Sequence, residues 1–243
     1  AGVALTIGGS NVLIGMNAGG NFDQEDHNVA IGRSAFSGAS SASYCVAVGG
    51  TAMQGAATQN GTVAVGYNAL NALTSGAGNT AVGYQAMLTN VTGDRNIAIG
   101  YGAMDDTDAA NALDADDNIF IGYDSGGGTW TAHKSYRNTC VGNYTMDAAT
   151  EEAVNNTCLG YVAGGALAQG DNNTLIGASA GEALTSGSNN TYVGYDAEGS
   201  GGGAANQQVF GKGAVGVADN SVTLGDSNVT AVYMNDAASA TVN

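Results

Sequence analysis

Six glycines, Gly15, Gly32, Gly49, Gly66, Gly83 and Gly100, stand 17 residues apart, each closing a variant of the motif Asn-Val-Ala-Ile-Gly. The spacing widens to 22, 20 and 18 at Gly122, Gly142 and Gly160, then returns to 17 at Gly177, Gly194 and Gly211. A last echo, Ser221-Val222-Thr223-Leu224-Gly225, comes 14 later, and Leu5-Thr6-Ile7-Gly8 reads as a partial coil before the first. Self-similarity at a short fixed period restricts a chain to units that stack on their neighbours. The reading is an all-β fold: a parallel β-solenoid of about 17 residues per coil over residues 1–225, followed by an exit segment, 226–243.

Within a coil, the residue before glycine is apolar at every repeat, from Ile14, Ile31 and Val48 to Val193 and Phe210. Two positions earlier stand Val, Ile or Thr, as at Val12, Val29, Val63, Ile97 and Thr157. β-Branched residues at alternate positions specify a strand, and this pair is expected to face inward. Between them lie small residues, Ala30, Ala47, Ala64, Ala81, Ala98, Cys140 and Cys158. A strand apolar on both faces is buried on both, so the Ala face is expected to be covered by another copy of the chain.

Asparagine opens the motif at 11, 28, 79, 96, 118, 138, 156, 173 and 190, where stacked amides can hydrogen-bond along the axis. Tyr67, Tyr84, Tyr101, Tyr123, Tyr161 and Tyr195 recur one residue after glycine and are expected to stack as a ladder. Strand spacing makes thirteen to fourteen coils a rod about 65 Å long.

Composition narrows the partners. Glycine is abundant at 40 residues, but proline is absent and there is no every-third-residue glycine, which excludes collagen. The net charge of −16 repels phosphate backbones and anionic lipids, so neither nucleic acid nor a membrane surface is an expected partner. No apolar run approaches the roughly 20 residues of a spanning helix, so no membrane insertion is expected. The chain opens on Ala1, which suggests a processed or cut product.

The motifs Asn28-Val29-Ala30-Ile31-Gly32 and Asn79-Thr80-Ala81-Val82-Gly83-Tyr84-Gln85-Ala86-Met87 resemble two related groups. One is the β-roll heads of trimeric autotransporter adhesins, whose repeats are usually shorter. The other is phage tail-fibre proteins rich in Asn-Thr-Ala-Val-Gly-Tyr repeats. The resemblance covers most of the chain, from about 11 to 225. Leu224-Gly225-Asp226-Ser227-Asn228-Val229-Thr230-Ala231-Val232-Tyr233-Met234 is similar to the exit segment of fibres that carry a C-terminal intramolecular chaperone. The resemblance implies a homotrimeric, non-enzymatic shaft in a virion tail or other extracellular setting. Its implied partners are itself, other virion tail proteins, and a cell-surface glycan or protein receptor. A bacterial surface adhesin or filament subunit is the alternative, and a polysaccharide-degrading tailspike a third.

Candidate sites are few. His27 and His133 have no ligand at metal-site spacing, and no catalytic residue is assigned. Asp105, Asp106, Asp108, Asp114, Asp116 and Asp117 cluster in the coil stretched to 22 residues and make a weak calcium candidate, with no other cofactor expected. The stretched coils are expected to bulge from the rod. They carry Trp130, His133, Lys134, Tyr136 and Arg137, a candidate contact surface; the alternative for Trp130 is to fold back and cap its own loop. Cys140 and Cys158 occupy one motif position in successive coils and are read as small buried side chains rather than a disulfide.

Overall fold

The computed structural model describes residues 8–38, 41–107, 115–130, 135–148 and 150–232. Thirteen three-residue strands follow one another along the chain: β1 (Val12–Ile14), β2 (Val29–Ile31), β3 (Val46–Val48), β4 (Val63–Val65), β5 (Thr80–Val82), β6 (Ile97–Ile99), β7 (Ile119–Ile121), β8 (Thr139–Val141), β9 (Thr157–Leu159), β10 (Thr174–Ile176), β11 (Thr191–Val193), β12 (Gln208–Phe210) and β13 (Val222–Leu224). They form one parallel sheet in strict chain order. The described residues contain no α-helix. This is a parallel β-solenoid, one strand per coil, and twelve strand-to-strand steps give it a length of about 58 Å.

The glycine repeat sets the register. Each motif lies on its equivalent in the next coil, Val63 opposite Thr80 and Val65 opposite Val82. The register survives the longer spacings, with Ile97 opposite Ile119 and Ile119 opposite Thr139. The residues that would form the expected bulges, 108–114 and 131–134, lie outside the described residues, as does the partial coil at Leu5-Thr6-Ile7.

Glycine is needed at the repeat position because the chain turns there at positive φ and the coils touch. At Gly83, φ is 147°, and a Cβ would collide with the carbonyl oxygen of Gly100 in the next coil. No side chain fits a column of main chains packed this closely.

The structure reverses the expected direction of the strand faces. Ala30, Ala47, Ala64, Ala81, Ala98, Cys140 and Cys158, at the strand centres, are fully buried in the solenoid core. The flanking β-branched residues point outward and are only partly covered in β2 to β5, while Ile99 and Val141 are exposed. The alternation is as expected and its phase is opposite. The reason lies in the facing wall, where Phe36, Met53, Leu70, Met87 and Met104 fill the same interior and are fully buried. In these coils the wall, not the strand centre, supplies the large side chain that fills this part of the interior.

The rule holds when the roles exchange. Where the strand centre is large, as at Leu13, Phe120 and Leu175, the wall position six residues later is Gly19, Gly126 or Gly181. A Cβ at Gly126 would lie 2.7 Å from Phe120 Cδ1, and one at Gly181 would lie 2.8 Å from Leu175 Cδ2. In these coils the strand centre and the wall trade volume, as close packing demands; at Cys158 and Gly164 both are small, and Leu175 of the next coil reaches toward the space.

Buried asparagines hold the coils together along a second line. The Asn118 backbone N–H and Nδ2 both donate to Asn96 Oδ1, at 3.0 and 3.1 Å. Asn118 Nδ2 also donates to the Ser135 carbonyl at 3.0 Å, and its Oδ1 accepts from the Asn138 N–H at 3.0 Å. The same pattern links Asn138, Asn156, Asn173 and Asn190. Each amide thus satisfies main-chain groups at a corner where the backbone leaves the ladder. The ladder lapses at Cys45 and Thr62, and Thr62 Oγ1 is buried without a partner.

Candidate functional site

The feature that runs the whole length of the molecule is the outer face of the sheet. Its two columns, represented by Val29 and Ile31 or Ile97 and Ile99, contain only Val, Ile, Leu, Phe, Thr and Gln in thirteen strands. None of the chain's 26 Asp, Glu, Lys and Arg residues lies on any of the thirteen described strands. At the first and last coils the face is most open, with Ile14 57% and Val222 61% exposed.

Beside this face runs the tyrosine column. Tyr67, Tyr84, Tyr101 and Tyr123 stack with ring centroids 5.6, 4.8 and 5.1 Å apart and planes within 18° of parallel. Their faces are used on one another, so their edges and hydroxyls meet solvent. Four of the six tyrosines expected to stack form the ladder, and Tyr161 does not continue it. The stack turns at Tyr144, which comes two residues after its glycine rather than one and meets Tyr123 and Tyr161 edge-on.

The acidic candidates do not come together. Asp117 pairs with Arg95, its Oδ1 2.6 Å from Nε, and this bond holds its carboxyl below the usual range. Asp116 Oδ1 accepts the Asp94 N–H at 2.7 Å. Asp106, on another wall, accepts the Thr129 hydroxyl at 2.8 Å. Asp108 and Asp114 lie outside the described residues. Among the described residues no group of three or more His, Cys, Asp or Glu side chains is placed to hold a metal ion.

Asp105 instead belongs to a different set, with Asp124 and Asp147. Burial, reinforced by Asp124 and Asp106, pushes the Asp105 carboxyl up to about 6. Burial and Asp124 push Asp147 up to about 6 as well. Sequence reading passed over Asp124 and Asp147 because they lie in separate coils, and only the stacking register joins them.

Of the contact candidates, Trp130 is corrected. Its indole is 1% exposed, packs edge-on against Phe120 at 5.6 Å, and donates from Nε1 to the Gly126 carbonyl at 2.9 Å. It caps its own coil, the second of the two expectations, because Gly126 leaves the space beside Phe120 that a wall side chain would otherwise fill. Tyr136 bridges to Val154, and the exposed Arg137 guanidinium lies over the Tyr136 ring at 5.2 Å. His133 and Lys134 lie outside the described residues. His27 stacks on Tyr44 at 5.0 Å.

Cys140 and Cys158 are cross-strand partners, fully buried, and carry free thiols. Burial and the neighbouring sulfur push the Cys140 thiol up, as suits an inert core side chain. No helix among the described residues is long and apolar enough to cross a membrane. Comparison with protein-family models finds no match, and comparison with curated proteins finds none either.

Proposed function

We propose that the chain is a shaft segment of a homotrimeric extracellular fibre, of the phage tail-fibre kind its motifs resemble, serving host attachment without chemistry of its own. The observation that carries this reading is the uncharged outer face of the sheet. Twelve steps of strand spacing by two side-chain columns make a face of about 600 Å², apolar except at Thr80, Thr139, Thr157, Thr174, Thr191 and Gln208, and large for what soluble monomers leave open. The tyrosine column beside it brings the area near the roughly 800 Å² per partner of a stable interface. The cover that the sequence called for belongs on the Val/Ile face, not on the Ala face. A chain of net charge −16 repels its own copies everywhere else, so the charge-free rib directs where they meet. Such a rod works by reach and by presenting three copies of any contact at once, which raises the effective concentration at a surface. Other tail proteins and a surface glycan or protein receptor are the partners this role calls for.

The test separates the two faces. Ile99→Glu with Val141→Glu should give folded, β-rich monomers by light scattering and circular dichroism. Ala81→Glu should abolish the fold itself, because the Ala81 side chain lies in the core. A monomeric unmodified chain, or trimers that persist in the double glutamate variant, would overturn the reading.

A further inference from the structure

The wall that follows the tyrosine column carries an alternation. Five residues after successive repeat glycines stand Asp105, Gly127, Asp147, Gly165, Glu182 and Gly199. Acids in adjacent coils would lie about 4.8 Å apart and repel strongly; an intervening glycine doubles the separation and leaves a gap between carboxylates. The gap at Gly127 is closed, because the Asp124 carboxylate occupies it, and a Cβ there would also lie 3.3 Å from Asp147 Oδ1.

At Gly165 the neighbouring side chain is Val162 rather than a carboxylate, and the gap is lined by its methyls. It forms a groove of about 310 Å³, lined among others by Tyr144, Asp147, Val162, Gly165, Ala166 and Glu182. Its floor is apolar: the nearest atom to a Cβ at Gly165 would be Val162 Cγ1, at 2.7 Å. Carboxylates stand one coil to either side, about 10 Å apart along the axis. Tyr144 at the groove's edge is the ring turned out of the stack, 62° from Tyr123 and 89° from Tyr161. Among the described residues the ion pairs all use Arg95, and no basic side chain neutralises Asp147 or Glu182.

We infer that this groove binds a quaternary ammonium group, with its methyls on Val162, Ala166 and the Tyr144 ring and its charge between Asp147 and Glu182. Charge complementarity selects a cation, and the apolar floor selects one that carries its own methyls over a hydrated ammonium that needs hydrogen-bond acceptors. An aromatic ring beside the charge adds cation–π attraction. The groove lies off the sheet face, so it stays open whether or not that face is covered, and the inference stands independently of how copies assemble.

The probe is choline, followed by saturation-transfer NMR on its methyl protons with the full chain in its native assembly. Saturable transfer with a dissociation constant of about millimolar is expected from choline, and none from its neutral isostere, 3,3-dimethylbutan-1-ol. Glu182→Gln with Asp147→Asn should weaken choline binding at least tenfold while circular dichroism is unchanged. Asp196→Asn, an exposed acid in the next coil along, removes a charge outside the groove and should leave binding as it was. Equal transfer to the neutral isostere, tighter binding of methylammonium than of choline, equal weakening by Asp196→Asn, or no saturable transfer would each overturn the inference.

Discussion

If interior volume is conserved within each coil, exchanging large and small positions should restore what either change alone removes. Leu175 and Gly181 are the pair to exchange, with Ala81 and Met87 as the template already present in the chain. Leu175 is fully buried, and truncating it opens a void bordered by Gly181 and Gly164, whose added Cβ atoms would lie 2.8 and 3.0 Å from its methyls. Leu175→Ala should therefore destabilise by about 2–5 kcal/mol. Gly181→Met alone drives a side chain into those methyls, about 1–3 kcal/mol of overpacking. It also sets a non-glycine residue at φ +62°, a further ~1–2 kcal/mol. Added independently, the two changes would cost about 4–10 kcal/mol. In the double variant the methionine enters the void, as Met87 does at φ 52° over Ala81, and only the left-handed backbone term of ~1–2 kcal/mol should remain. Guanidinium unfolding of the four proteins, compared in the same assembly state, yields the coupling directly. A favourable coupling of at least ~3 kcal/mol is expected; additivity within ~0.5 kcal/mol would refute the argument that these positions share one volume.

Other expectations follow from single features. Asn118→Ala leaves the Asn138 N–H and the Ser135 carbonyl without their partner and should lower stability by about 2–4 kcal/mol in chemical denaturation. Thr62→Asn places an amide where the ladder lapses and should raise stability by about 1 kcal/mol. Trp130→Ala should cost about 3–5 kcal/mol, whereas Arg137→Ala, at an exposed side chain, should change the denaturation midpoint little. Asp105 and Asp147 carry carboxyls raised to about 6 from 3.8, so the folded state binds protons more readily than the unfolded one. Their contribution is fully present below about pH 4 and lost as pH rises through about 6. The melting temperature should therefore rise from pH 7 to pH 5, and Asp105→Asn with Asp147→Asn should flatten that rise.

The solenoid was legible because a glycine that tolerates no Cβ has to recur in every coil, and its spacing is visible without any structure. The asparagine and tyrosine ladders were legible for the same reason. The phase of the strand was not. In a motif such as Val29-Ala30-Ile31 both faces are apolar, and alternation alone says which residues share a face, not which face points in. The missing information lay six residues on, at Phe36: a large wall residue opposite a small strand residue already places the alanine inside. The exchange at Phe120 and Gly126 carries the same message and also explains Trp130, whose position depends on the space that glycine leaves. The Asp147 and Glu182 groove was beyond reach until the register across coils of unequal length was known.

The partners in each volume exchange lie within a single coil: Leu13 with Gly19, Ala81 with Met87, Leu175 with Gly181. Much of a coil's fit is therefore its own, although Gly164 also makes room for Leu175 of the next coil, while the repeat-glycine and main-chain contacts between coils recur along the sheet. Coils whose neighbours do not share such a contact can then be duplicated or lost with little repacking of the interior. The length of such a rod is free to drift by unequal recombination, one 17-residue unit at a time, at little risk to folding.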